Sequence, residues 1–124
     1  MKTITPQAEK LCEALRNRKI FCKTEVWDGH KHIDISIPWA KIDIEVDGLQ
    51  HYTNAKQMIS DFDRSYWSVQ NDNYDTFHVP NTILDSHLEQ VADALANAAR
   101  EKYKQIQEEE NTILGRIRKF FNIK

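Results

Sequence analysis

The chain has 124 residues, with 17 Lys+Arg against 19 Asp+Glu, 40% hydrophobic residues and a formal net charge of −2. That size suits one domain around one core, and the near-neutral balance excludes a simple basic coat for nucleic acid. No apolar run approaches the roughly 18 residues of a membrane span, the opening MKTITPQAEK lacks a signal-peptide core, and two cysteines fit reduced thiols in a cytoplasmic protein.

Thr5-Pro6 reads as a helix start, since Thr caps and Pro suits the first turn. Ala8, Leu11, Cys12 and Leu15 then recur at helical spacing to about Asn17. KIFCKTEVW is β-rich, and Asp28-Gly29 signals a two-residue hairpin. HKHIDISIP alternates, Pro38-Trp39-Ala40 turns the chain, and KIDIEVDG alternates again, which makes an antiparallel meander. A second helix is predicted from Asn54 to about Gln70, with Met58, Ile59, Phe62, Tyr66 and Val69 as its apolar stripe. Tyr74 to Val79 reads as a short strand ended by Pro80-Asn81. The last helix is predicted to start near Asp85 and to bury Leu88, Val91, Ala92, Leu95, Ala99, Tyr103 and Ile106, with EEEN ending it or exposing its final turn. A basic amphipathic tail follows, with Ile113, Ile117 and Phe120 on one side. The order is α-β-β-β-α-β-α, an α/β (α+β) class, with a domain over 1–110 and a tail over 111–124.

The net charge is unevenly distributed. Residues 1–27 carry +3, residues 28–75 carry −5, and residues 76–124 balance. The acidic block falls in the second and third strands. There His32, Asp34 and Ser36 share one face, Asp43, Glu45 and Asp47 share another, and isoleucines and Val46 take the opposite sides. With Trp39-Ala40 as a two-residue turn, partner numbers sum to 79, so Asp34 faces Glu45 and His32 faces Asp47. Like charges directly opposite destabilise a strand pair unless the face is solvated or a cation lies between them. Carboxylate oxygens with water are the donors Mg²⁺ or Mn²⁺ prefers. His30-x-His32-x-Asp34 is a weaker candidate for zinc or iron, set against ordinary surface histidines. Asp47-Gly48 also reads as plain turn chemistry. His78 alternates away from Phe77, at the site edge or exposed. Trp39 reads as a packing residue placed where it could also stack on a base.

The continuation IDIEVDGLQHY gives the acidic strand a context. Glu9 in AEKLCEAL, Asp34 in HIDI, Glu45-Val46-Asp47-Gly48, His51, Asp63-Arg64 and YDTFHVPN form an ordered set over roughly residues 5–105. This set resembles the PD-(D/E)XK restriction-endonuclease-like superfamily, closest to small domains related to very-short-patch repair endonucleases. The resemblance implies a mixed central sheet flanked by helices and an Mg²⁺-dependent (or Mn²⁺-dependent) endodeoxyribonuclease of repair, restriction or mobile-element processing. It implies Asp34, Glu45 and the Val46 carbonyl as metal ligands. Glu9 would reach in from the first helix, and Gln50 or His51 would orient water or contact phosphate. The superfamily's lysine, two residues after the acidic residue, is Asp47 here, a replacement that close relatives share. Asp47 is accordingly read as a ligand, a partner of His32 or a turn residue.

Basic residues offer phosphate contacts beside such a site: Arg16, Arg18, Lys19 and Lys23 after the first helix, Arg64 in the second, and Arg116, Arg118, Lys119 and Lys124 in the tail. DNA is the expected partner, without a membrane, and the tail is a candidate for homodimer or partner-protein contact. The competing class is a catalytically inactive nucleic-acid- or protein-binding module on the same fold.

Overall fold

The computed structural model describes residues 4–47 and 74–121. The helix predicted over 54–70, with Asp63, Arg64 and Trp67, lies outside the described residues, as do Gly48, Gln50 and His51. Helix α1 runs over Pro6–Asn17, as its sequence predicts. Thr5 Oγ1 accepts from Ala8 N at 3.2 Å, and Pro6 sits where no intrahelical N–H is needed. The helix ends in a Schellman turn: Lys19 N donates to Arg16 O and Ile20 N to Leu15 O, each at 3.0 Å. That turn holds Lys19 at φ 66, in the left-handed region.

Strands β1 (Lys23–Trp27), β2 (His32–Ile37) and β3 (Ile42–Asp47) form the predicted meander. Strand β4 (Asp75–Pro80) lies parallel to β3, and the sheet order is β1-β2-β3-β4. The β2–β3 pairs Ile35↔Ile44, Ser36↔Asp43 and Ile37↔Ile42 have the predicted register. The connection is nonetheless longer than two residues. Pro38–Ala40 forms a 3-10 turn and Lys41 follows at φ 53, so a symmetric four-residue loop produces the same pairing. The first hairpin also departs from the two-residue reading. Trp27 pairs with His32, leaving Asp28 to Lys31 as its loop. Asp28 Oδ1 accepts from His30 N at 2.8 Å and Lys31 N at 2.7 Å, while Gly29 takes φ 96. The aspartate side chain closes a wider turn than the Asp-Gly dipeptide alone suggests.

Helix α2 (Asn81–Phe120) has 40 residues, begins directly after β4 and bends at His87, where φ is −136. The predicted start near Asp85 therefore falls just before the bend, and the acidic run does not end the helix. Arg18 fastens α1 to α2, with Nε 2.7 Å from Asp93 Oδ1 and a second bond to the Glu89 carboxylate. Lys102 Nζ ties α2 to the sheet through Asp75 Oδ2 at 2.7 Å and Lys41 O at 3.2 Å. Among the described residues no helix is long and apolar enough to cross a membrane.

Helices α1 and α2 pack on the isoleucine side of the sheet. Ile35, Ile37, Ile42 and Ile44 meet Leu11 and Leu15 of α1 and Ala92, Ala96 and Ala99 of α2 in one buried cluster. The alanines let α2 lie close to the strands. Trp39 closes the end of this core, with Nε1 donating to Phe21 O at 2.8 Å and its ring edge-on to Tyr103. Cys12 and Cys22 are free, buried thiols with Sγ atoms 2.9 Å apart. Their mutual hydrogen bond pulls Cys12 down to about 7, helped by Arg16 against the effect of burial. The same bond and burial push Cys22 up.

Lys19 occupies a backbone conformation that glycine adopts without a Cβ penalty. Lys19→Gly is therefore expected to raise stability by about 0.5–1 kcal/mol, read as a higher urea midpoint with an unchanged slope.

Candidate active site

The second face of the sheet is polar and nevertheless buried. Asp34, Ser36, Asp43, Glu45 and Asp47 are all under one-tenth exposed, and Glu45 is 1% exposed. The register explains their convergence. Continued one residue beyond Ile35↔Ile44, it sets Asp34 across from Glu45. The parallel β3–β4 register sets Thr76 beside Asp43 and His78 beside Glu45, while Phe77 and Val79 join the apolar face. Strands β2, β3 and β4 thus bring four carboxylates and a histidine to one surface by alternation.

Each acidic group is held by a different element. Asp34 Oδ2 accepts from Val46 N at 2.8 Å, a bond from side chain to neighbouring strand that fixes Asp34 beside Glu45 and Val46. Asp47 Oδ2 lies 3.0 Å from His78 Nδ1, so the carboxylate read from sequence as a partner of His32 meets the histidine of β4. Lys31 Nζ lies 3.3 Å from Glu45 Oε1, with the lysine side chain 10% exposed. The two approach as a charge pair rather than an aligned hydrogen bond. Removing a carboxylate from water is costly unless an opposite charge compensates it, and Lys31 supplies that charge. The Asp28-centred loop delivers it, since both the His30 and Lys31 amides are tied to Asp28 Oδ1.

Asp43 shows the cost of this burial. Desolvation pushes its carboxyl up to about 6, reinforced by the nearby Asp28 charge and opposed by a hydrogen bond from Ser36 and by Lys31. Thr76 Oγ1 and His32 Nδ1 are also buried, with no hydrogen-bond partner among the described residues.

The other described residues singled out from sequence lie elsewhere. Glu9 is exposed on α1 and lines a groove with Ile4, Cys12, Glu13, Arg16 and Thr24, in which none of the acidic sheet residues takes part. Arg16 Nη2 donates to Cys22 O at 3.1 Å. Arg18 is occupied by Glu89 and Asp93, which leaves Arg16, Lys19 and Lys23 as the more exposed cations of that cluster. The sequence alone pairs neither Lys31 with Glu45 nor His78 with Asp47. Lys31 precedes the strand, so alternation says nothing about it, and the usable signal was Asp28 as a side-chain turn former. His78 needed the parallel register, which crosses many residues.

Among the described residues, no group of three or more His, Cys, Asp or Glu side chains is arranged as a metal-ligand cluster. Asp34 and Glu45 face each other across β2 and β3, and a two-carboxylate pair of this chemistry is what Mg²⁺, which keeps several waters, takes from a protein.

Asp43 is protonated more readily in the folded chain than in the unfolded one. Its contribution is fully present below about pH 4 and is lost as pH rises through about 6. Asp43→Asn should remove this slope and raise stability at pH 7–8 by up to about 3 kcal/mol, measured by urea denaturation across pH. Compared with family models, with curated proteins and with solved structures, the chain finds no match.

Proposed function

We propose that the chain is a metal-dependent nuclease on a restriction-endonuclease-like fold, hydrolysing DNA phosphodiester bonds. The observation that carries this reading is the facing pair Asp34 and Glu45 on a buried sheet surface, with the Lys31 ammonium 3.3 Å from Glu45. The α-β-β-β order followed by a strand parallel to β3 supports the fold half of the reading.

Phosphodiester hydrolysis needs a positioned water, compensation for charge on the phosphoryl oxygens and a proton for the leaving oxygen. A bound Mg²⁺ supplies charge compensation and a more acidic water. Asp34 and Glu45, with the Val46 carbonyl, would hold it. Lys31 is positioned to hold Glu45 in place and to set a positive charge at the attacking water. In the resembling superfamily a lysine stands two residues after the acidic residue. Here Asp47 fills that position, and Lys31 brings an ammonium to the same carboxylate from the β1–β2 loop. The His78–Asp47 pair sits beside it as a proton donor or acceptor.

The second reading is a binding module without catalysis. It draws on the exposed end of α2, where Arg116, Arg118 and Lys119 stand beside Phe120 and Phe121. The two readings separate in a metal titration, since only the first requires Mg²⁺ or Mn²⁺ binding that Glu45→Gln abolishes.

Asp34→Asn keeps an acceptor for Val46 N, and Glu45→Gln keeps the side-chain shape. Each is expected to lower Mg²⁺- or Mn²⁺-dependent cleavage of labelled duplex, nicked, mismatched and branched DNA by about 100-fold or more, with the circular dichroism spectrum intact. Lys31→Met should lower the maximal rate with little change in DNA binding. Equal cleavage by wild type and Asp34→Asn would overturn the reading.

A further inference from the structure

The stripe of α2 that packs the core does not stop where the core ends. Ala92, Ala96 and Ala99 are buried, and Tyr103, Ile106, Glu110, Ile113, Ile117 and Phe120 continue the same spacing of three and four residues. Every residue from Gln107 to Phe121 is exposed, including Ile113 at 54%, Ile117 at 44% and Phe120 at 83%. Helix α2 therefore carries an uncovered apolar seam for about 20 Å at 1.5 Å per residue. A helical segment of that length is marginal in water unless its apolar face packs, and a three-four repeat is the pattern of a two-helix seam.

The charges along this segment indicate what covers the seam. Glu108, Glu109 and Glu110 stand before its centre, and Arg116, Arg118 and Lys119 after it. We propose that Tyr103–Phe120 pairs antiparallel with the same segment of a second copy of this chain, about a two-fold axis. Antiparallel pairing lays the acidic end of each helix on the basic end of the other, twice per dimer. Parallel pairing lays like charge on like, with both Glu110 side chains in one layer.

The seam also selects a register. Layers that set Tyr103 against Phe120 and Ile106 against Ile117 also set Glu110 against Ile113. In that register Glu109 lies beside Arg116 of the partner subunit, on the edge of the seam. Glu110 weakens the centre and disfavours shifted alignments, as a single polar residue does within an apolar repeat. The interface uses no residue of the acidic sheet face, so it stands independently of the nuclease reading.

Sedimentation equilibrium of the full chain tests the proposal. Wild type should dimerise reversibly. Glu109→Arg and Arg116→Glu should each weaken the dimer by about 10-fold or more, since each replaces two attractive contacts by repulsive ones. The double variant should recover it, and an equal mixture of the two single variants should form a heterodimer. Ile117→Asp should leave monomer with an unchanged fold, because the residue touches no core. Monomer at every soluble concentration of wild type overturns the proposal, including the case in which Arg116→Glu instead weakens retention of DNA or of anionic vesicles. A dimer that Glu109→Arg leaves intact, or that the double variant fails to restore, overturns the antiparallel register.

Discussion

The alternation of the β2–β3 pair is the constraint on which the rest of the structure depends. One set of residues, Ile35, Ile37, Ile42 and Ile44, makes the core with α1 and α2. The interleaved set, Asp34, Ser36, Asp43 and Glu45, makes the candidate site. A strand repeats every two residues, so neither set can shift without the other. A register slip by one would carry carboxylates into the leucines of α1. Burial of the isoleucines, each contributing roughly 1.5–3 kcal/mol, therefore also holds the carboxylates in register.

The polar face is expensive in the folded state, and the fold answers it locally. Val46 N–H donates to Asp34, Lys31 stands at Glu45, His78 at Asp47 and Ser36 at Asp43. Three of these partners come from β2, β3 and β4 themselves. Lys31 comes from a loop that Asp28 ties down. Asp43 remains incompletely compensated, and its raised carboxyl shows a local electrostatic cost that a more apolar face would not carry. Such cost is tolerated where buried charge does chemistry, and it supports the proposed reading of this face as a site.

Helix α2 has two roles along its length. Its first half lies against the sheet through alanines, with Lys102 near the end of that contact. Its second half extends past the core with the same apolar spacing, with acidic residues before its centre and basic residues after it. Hydrogen bonds within the helix carry the backbone through the acidic run, so a cluster of glutamates did not act as a stop signal here.

Local chemistry made much of this legible in the amino-acid sequence. Thr5-Pro6 marked the start of α1, the alternation around Ile35 and Ile44 marked the strands and both faces, and partner numbers summing to 79 held although the turn was a 3-10 turn with two more residues. These features depend on neighbours within a few positions. Only tertiary structure decided the partner of Asp47, the ammonium at Glu45, the engagement of Arg18 by α2 and the placement of Glu9 in a groove apart from the acidic face. Each depends on elements distant in sequence or on a loop whose side-chain bonds set its shape. Alternation assigns a residue to a face, whereas the charge that compensates it is chosen by whichever distant element folds against that face.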